Sequence, residues 1–293
     1  MKKLILSTLL ASTLILTACE SADSEETEAT DTDETSQETD VTEQEETSEE
    51  TTDESDETDE NADDEMTPAE PEEFVYEVSD NYAYINVIDG KEANDKVALL
   101  TFDDGPNEHT LTIAQTLAEK DAPAIFFVNS MYLLDDEGKD ILKEVHDMGF
   151  EIGNHTHTHA SLPSISEEKQ TEEIITANDL IEEVIGTRPR FFRAPFGQNT
   201  DHSKQVVLDE GMALMNWTFG YDWEDEYRDP AALADIMVNT NLLASGSNLL
   251  MHDREWTSEA ILDIIEGLRE KDFEFVDPDL LLSTKLESED VSE

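Results

Sequence analysis

Basic residues are scarce in this chain: Lys and Arg number 17 against 74 Asp and Glu, a formal charge of −57 over 293 residues. That balance excludes a nucleic-acid partner, because phosphate backbones are held by Lys and Arg through the counterions they displace. It excludes an anionic membrane surface as a partner for the folded part in the same way. Cysteine is scarcer still. Cys19 stands alone, so no intramolecular disulfide can form. Long apolar runs are missing too, and nothing after the first nineteen residues reads as transmembrane. Between Glu20 and Glu73 there is neither Lys nor Arg, and aromatic and β-branched aliphatic residues are almost absent until Phe74.

Asp, Glu, Ser and Thr fill that stretch. It cannot bury enough apolar surface to offset its conformational entropy, so residues 20–73 are expected to be a disordered tether. Like charges every second or third residue would extend it beyond a neutral coil. From Phe74 onward there are apolar runs and aromatics, yet the sequence stays acidic. Self-repulsion of that kind fits a saline or alkaline medium with strong screening, and equally fits plain solubility. Ahead of the tether, Lys2 and Lys3 precede an apolar core, Leu4 to Leu16, that is too short to span as a mature helix. Leu16-Thr17-Ala18-Cys19 resembles the lipobox of bacterial lipoproteins. The resemblance implies that residues 1–19 are a leader and that Cys19 carries the lipid that anchors the chain to the outside of the cell membrane. The alternative is a plain signal peptide with an incidental cysteine.

From Val97 short apolar runs alternate with amphipathic stretches. Val97–Phe102, Ala124–Val128, Phe150–Ile152, Phe191–Phe192, Ala213–Trp217, Asn248–Met251 and Phe273–Val276 read as strands. Leu111–Lys120, Gly138–Met148, Ser166–Ile185, Ala231–Leu243 and Ser258–Lys271 read as helices, with Ser166 opening and Gly186 closing the clearest of them. Strict alternation predicts an α/β fold with a parallel sheet, open or closed into a barrel, and the length is short for eight repeats. Residues 74–96 are expected to be an N-terminal extension, 97–282 the catalytic domain and 283–293 an acidic tail.

The unusual polar residues fall at the ends of these strands, where parallel sheets and barrels build their sites. Thr101-Phe102-Asp103-Asp104-Gly105-Pro106 follows the first strand and Gly153 to His159 the third. Arg193 to Gly197, Tyr221-Asp222-Trp223 and Leu249 to Asp253 follow others. His155 and His159, four apart, could aim two imidazoles at one ion from a helical turn or a tight loop. With a carboxylate they make the three-ligand set of a catalytic zinc site. Adjacent carboxylates at a strand end point different ways, so of Asp103 and Asp104 one can bind metal while the other handles a proton. The bland alternatives are an acidic turn before Gly-Pro and a surface histidine pair. His157 has the wrong spacing to join its neighbours. A histidine-rich zinc-capturing loop would leave the other clusters unexplained.

These motifs resemble those of the polysaccharide deacetylases, carbohydrate esterase family 4 or NodB-homology domains: Thr101–Pro106 the TFDDGP signature, His155–His159 the HTxxH motif, Arg193–Gly197 the RxP[YF]G element, Asp222-Trp223 the DW element and Leu250–Asp253 the LxHD element. The resemblance implies a distorted (β/α)7 barrel and a metal-dependent deacetylase. By position it makes Asp103 the general base, Asp104, His155 and His159 the metal ligands, and His252 the general acid. It has Arg193 orient Asp103 and Asp222 orient His252. Leu250 and Trp223 would shape the acetyl pocket, and the Phe196 backbone N–H would help form an oxyanion site. The metal implied is divalent, zinc first, with cobalt or nickel as alternatives. There are two departures: Phe196 stands where Tyr is common, with little effect expected because only its backbone is needed, and Trp217–Tyr221 lacks an upstream acidic residue and looks one residue short, which bears on substrate preference more than on chemistry. The substrate expected is an acetylated cell-wall polysaccharide, peptidoglycan N-acetylglucosamine or chitooligosaccharide, hydrolysed by a monomer. An acetylxylan or other O-ester esterase, or a non-catalytic sugar- or zinc-binding lipoprotein, are the alternative readings.

Overall fold

The computed structural model describes residues 73–283. The leader with Cys19, the tether up to residue 72 and the tail from residue 284 lie outside the described residues. A short antiparallel hairpin comes first, β1 (Tyr76–Val78) and β2 (Ile85–Val87). Then strands and helices alternate: β3 (Val97–Gly105), α1 (Glu108–Glu119), β4 (Ala124–Val128), α2 (Asp136–Asp147), β5 (Glu151–Asn154), α3 (Glu167–Ile185) and β6 (Phe191–Phe192). There follow α4 (Asp201–Asp209), β7 (Ala213–Leu214), α5 (Pro230–Asn239), β8 (Ser247–His252), α6 (Glu255–Glu270) and β9 (Glu274–Phe275).

The main sheet has seven strands, all parallel, in the order β7-β6-β5-β4-β3-β8 with β9 beside the start of β3. Its two outer edges meet through one irregular run. Met215 N–H donates to Phe192 O (2.8 Å), and three residues later Thr218 N–H donates to Asn248 O (2.8 Å). Phe219 then bridges Leu249. The chain from β7 to Phe219 thus leaves β6 and arrives at β8, closing a distorted barrel with a seam where a regular strand would stand.

Strands of such a sheet are buried on both faces, so their sequences are continuously apolar. On β3, Ala98, Leu100 and Phe102 pack in the cluster beneath the helices. Val97 and Leu99 alternate with them and pack inside, with Ile125, Phe127, Phe191 and Met215. Tyr76 and Ile85 of the hairpin join this inner cluster and plug its lower end. Further along β3 the same inward register turns polar, at buried Thr101 and Asp103. The barrel is apolar below and hydrogen-bonded above.

Several elements differ in extent from the sequence expectation, for local reasons. α1 and α2 begin before their apolar pattern because Asn107 and Asp135 cap them, accepting from the His109 and Gly138 N–H groups. α3 runs as expected, from the Ser166 cap to Gly186 at φ 79°. β7 is two residues rather than five, since the seam takes the rest of Ala213–Trp217. α4, short and polar, had no periodic signal. α5 stops at Asn239 rather than Leu243.

Gly246 joins the hairpin to the barrel: its carbonyl accepts from Ile85 N–H (2.8 Å) and its own N–H donates to Val97 O (2.8 Å). Its φ is +74°, and a side chain there would collide with the Ile85 carbonyl. Gly246→Ala is therefore expected to destabilise the fold by about 2 kcal/mol or more, read as a lower urea midpoint. An unchanged midpoint would mean that the hairpin contributes little to the barrel.

Candidate metal centre and active site

β3 ends in an irregularity: its register to β4 shifts between Asp103 and Gly105, and Asp104 takes a left-handed φ of 72°. Asp is one of the few residues that tolerates this conformation, and bulges of this type re-aim side chains. The two neighbouring carboxylates consequently face different partners. Asp103 continues the inward register and accepts from Arg193 Nη1 (2.7 Å). Asp104 turns toward the loop after β5.

That loop is tight because Thr156 and His159 are also left-handed, at φ 70° and 58°. Asn154 holds its start by accepting from Thr156 N–H (2.7 Å) and donating to Ile174 O and Asn178 Oδ1 on α3. Asn129, at the end of β4, donates to His155 O (2.5 Å). The His155 ring is buried, and its Nδ1 donates to Arg193 O (2.8 Å), which leaves the Nε2 lone pair facing the carboxylates. Burial pushes the His155 pKa down against the pull of Asp103 and Asp104, favouring the neutral ring. His155 Nε2 and His159 Nε2 lie 3.6 and 3.4 Å from Asp104 Oδ1.

These three donors lie within 4.8 Å of one another and suit a divalent cation. Ligands about 2.1 Å from a tetrahedral zinc stand roughly 3.4 Å apart, close to the separations from Asp104 Oδ1. Asp104 Oδ1 is buried with no hydrogen-bond partner, an atom that a cation would satisfy. His155 also has the usual outer contact of a metal-bound imidazole, its second nitrogen donating to a carbonyl. His157 is outside the group, with Nδ1 on Ser130 Oγ (2.8 Å).

Across the cavity, His252 at the end of β8 pairs in register with Asp103. Its Nδ1 meets Asp222 Oδ1 (2.8 Å), while its backbone N–H donates to Asp222 Oδ2 (2.5 Å). Asp222 is fully buried and also accepts from Thr257 Oγ1 (3.0 Å). Burial opposes the charged imidazole, but the hydrogen bond and charge of Asp222 outweigh it and raise the His252 pKa to about 9. Trp223 stands perpendicular to the His252 ring at 5.6 Å. Phe196, left-handed at φ 60°, sets its ring edge-on to His159 at 4.8 Å. Together Asp103, Asp104, His155, His159, Phe196, Trp223, Leu250 and His252 line one cavity of about 330 Å3.

Arg193 lies behind this wall, wholly buried. Besides Asp103 it donates to Thr101 Oγ1 (2.8 Å), Asn216 O (3.0 Å) and Asn248 Oδ1 (3.2 Å), and it stacks on Phe127 at 4.3 Å. Sequence reading missed several contributors: Trp217 in the cavity wall, Asn129 and Asn248 as anchors, and Arg254, whose Nη2 donates to Asp104 Oδ2 (3.2 Å). None of these belongs to a spacing pattern, and only proximity in the fold reveals them. Asp253 ties the ends of β3 and β8 to α1, donating from its N–H to Asp103 O (3.3 Å) and accepting from Thr110 Oγ1. Burial pushes its carboxyl up to about 7 although the Thr110 hydrogen bond pulls the other way.

Comparison with known proteins gives a consistent result. The polysaccharide deacetylase family model matches residues 90–215. A peptidoglycan-N-acetylglucosamine deacetylase of Bacillus cereus is 33% identical over 194 residues, 64% of this chain and 70% of that protein. The peptidoglycan-N-acetylmuramic acid deacetylase PdaC of Bacillus subtilis is 31% identical over 204 residues, covering 68% of this chain and 41% of that protein. A carbohydrate esterase family 4 pseudoenzyme from Bacillus anthracis shares the fold with a TM-score of 0.59 at 26% identity, covering 65% of this chain and 66% of that one. Likeness of fold therefore does not decide activity.

The Asp253 carboxyl holds its proton more tightly in the folded chain than in the unfolded one, where aspartate titrates near 3.9. Between about pH 4 and about pH 7 the folded state keeps a proton that the unfolded state has released, so ionising Asp253 costs stability as pH rises through that window. Asp253→Asn removes this titration. Unfolding midpoints of the two proteins, measured across the window, are expected to diverge, with the wild type losing ground toward pH 7. Parallel profiles would contradict the assignment.

Proposed function

The chain belongs to the polysaccharide deacetylase family, carbohydrate esterase family 4, and on that premise we propose that it hydrolyses acetamido groups on the N-acetylated sugars of a cell-wall polysaccharide, with peptidoglycan N-acetylglucosamine or a chitooligosaccharide as substrate. The observation that carries this reading is the gathering of a three-ligand donor set, a proton acceptor and a proton donor around one cavity.

Asp104, His155 and His159 would hold the cation. Two imidazoles and one carboxylate suit zinc, with cobalt or nickel as alternatives. When bound, such an ion supplies Lewis-acid polarisation of the acetyl carbonyl and lowers the pKa of water. Asp103 keeps one carboxylate oxygen free of Arg193, 3.6 Å from His155 Nε2, and takes the proton of the attacking water from there. The water oxygen bonds to the carbonyl carbon. The Phe196 backbone N–H serves the developing oxyanion, a contribution typically of about 2.7–4 kcal/mol for one donor. As the carbon–nitrogen bond breaks, His252 gives its proton to the departing amine, and acetate and the free amino sugar result. An amine leaves poorly without that proton, and the strong hold of Asp222 keeps His252 charged at neutral pH. Leu250 and Trp223 present apolar surface to the acetyl methyl.

A purely binding lipoprotein would need neither Asp103 nor His252, so their presence supports catalysis. An O-acetyl esterase would use the same groups, but an ester places less demand on the acid. Outside the described residues, residues 1–19 would direct export and Cys19 would carry the lipid. The stretch up to residue 73 would then act as a spacer through which residues 97–282 reach the wall.

Acetate release from purified peptidoglycan and chitooligosaccharides is the direct test, and a chelator is expected to abolish it until zinc is restored. Asp103→Asn should keep its metal and lose roughly 10²–10⁴-fold in kcat. Equal release from that variant would refute the assigned base. Asp104→Ala should fail to retain metal at all.

A further inference from the structure

The three candidate metal ligands are not held equally well. His155 is buried, and its Nδ1 is fixed by the Arg193 carbonyl at 2.8 Å. His159 rests on the Phe196 ring, with centroids 4.8 Å apart. Asp104 has neither kind of support. It sits where β3 shifts register, at a φ of 72°, and its side chain remains 22% exposed. A carboxylate so placed can present either oxygen to the imidazoles or turn toward solvent.

One contact decides its orientation. Arg254 Nη2 donates to Asp104 Oδ2 (3.2 Å), and among the described residues this is the one hydrogen bond that the carboxylate accepts. The other oxygen, Oδ1, is buried without a partner, 3.6 Å from His155 Nε2 and 3.4 Å from His159 Nε2. The two oxygens are thus divided, Oδ2 taken by the guanidinium and Oδ1 turned to the ligand group.

Arg254 commits its charge to this contact. In a chain with 74 acidic residues an exposed arginine has many partners to choose from. Arg188 pairs with Asp179, Glu182 and Glu210, and Arg228 with Asp225. Asp253 and Glu255 flank Arg254 in sequence, yet its one ion pair among the described residues is with Asp104, 150 positions away. The side chain has no part in capping α6. The backbone is held separately where β8 turns into α6, its N–H donating to His252 O (2.8 Å) and its carbonyl accepting from Ser258 N–H (2.9 Å).

A guanidinium beside a cation site also repels the cation. Arg254 is 46% exposed, so solvent and salt screen that repulsion. The hydrogen bond acts through geometry instead, and partners of this kind behind a ligand typically change metal affinity or activity by roughly 10–100-fold.

We infer that Arg254 is a positioning residue for the metal centre, holding Asp104 by its outer oxygen so that the inner one already faces the imidazoles when a cation arrives. Without it the carboxylate would have to be ordered at the moment of binding, and affinity would fall. This rests on the metal-dependent reading of the site.

Zinc affinity of the full chain, measured by competition with a chelating dye, tests the inference without relying on turnover. Arg254→Ala is expected to bind zinc roughly tenfold or more weakly than the wild type. Arg254→Lys, which keeps a cationic donor on a long side chain, should recover much of that loss. The urea midpoints of the metal-free proteins should agree, because the side chain neither caps α6 nor lies in the core. Unchanged or tighter zinc binding by Arg254→Ala, or equal losses in the two variants, would overturn the inference while leaving the metal centre itself intact. A wild type that binds no zinc would sink the metal-centre reading and this inference with it.

Discussion

One buried guanidinium sets the geometry of the site. Arg193 takes an oxygen of Asp103 with its side chain and the Nδ1–H of His155 with its backbone carbonyl. A single residue therefore orients the candidate base and fixes which nitrogen of a candidate ligand faces the cavity. The cost of burying this cation is offset in part by Asp103, Thr101, Asn248 and the Asn216 carbonyl together with the face of Phe127, while its Nε has no hydrogen-bond partner. Removing a partner from such an arrangement leaves an uncompensated buried charge, which is far more costly than losing a surface ion pair. Arg193 offers nothing to Asp104, whose outer oxygen has only half-exposed Arg254 and whose inner oxygen has no partner. A divalent cation held by Asp104, His155 and His159 would satisfy that inner oxygen.

Neighbouring carboxylates of the same type thus acquire separate roles from backbone geometry. Had β3 stayed regular, Asp104 would point away from the interior while Asp103 pointed in. The positive φ at Asp104 brings its carboxylate back toward the imidazoles. A second division of labour holds on the opposite wall, where Asp222 is spent on His252 and Asp253 on Thr110. In this second pair one carboxylate serves the candidate acid and the other holds the scaffold.

Much of this was legible in the sequence, because a parallel barrel converts order along the chain into a ring of strand ends. β4, β6 and α3 fall where alternation and capping put them. Asp103, Asp104, His155, Arg193 and His252 stand at or just after strand ends, where alternation places them on one face, whereas Asp222 and Trp223 follow the seam. The seam after β7 was not legible: Ala213–Trp217 is apolar enough for a strand, and what interrupts it is the need to cross from Phe192 to Asn248. The anchors were hidden for a related reason. Arg193 reaches Thr101 across 92 residues and Asn248 across 55, distances that no local pattern records. Arg254 is an ordinary exposed arginine until the fold sets it against Asp104.

X-ray absorption at the zinc edge of the loaded protein examines the central claim most directly. The account expects two imidazole nitrogens near about 2.0 Å with oxygen completing the shell, as zinc held by two histidines and a carboxylate requires. A spectrum without imidazole scattering, or one unchanged when His155 and His159 are both replaced, would contradict it.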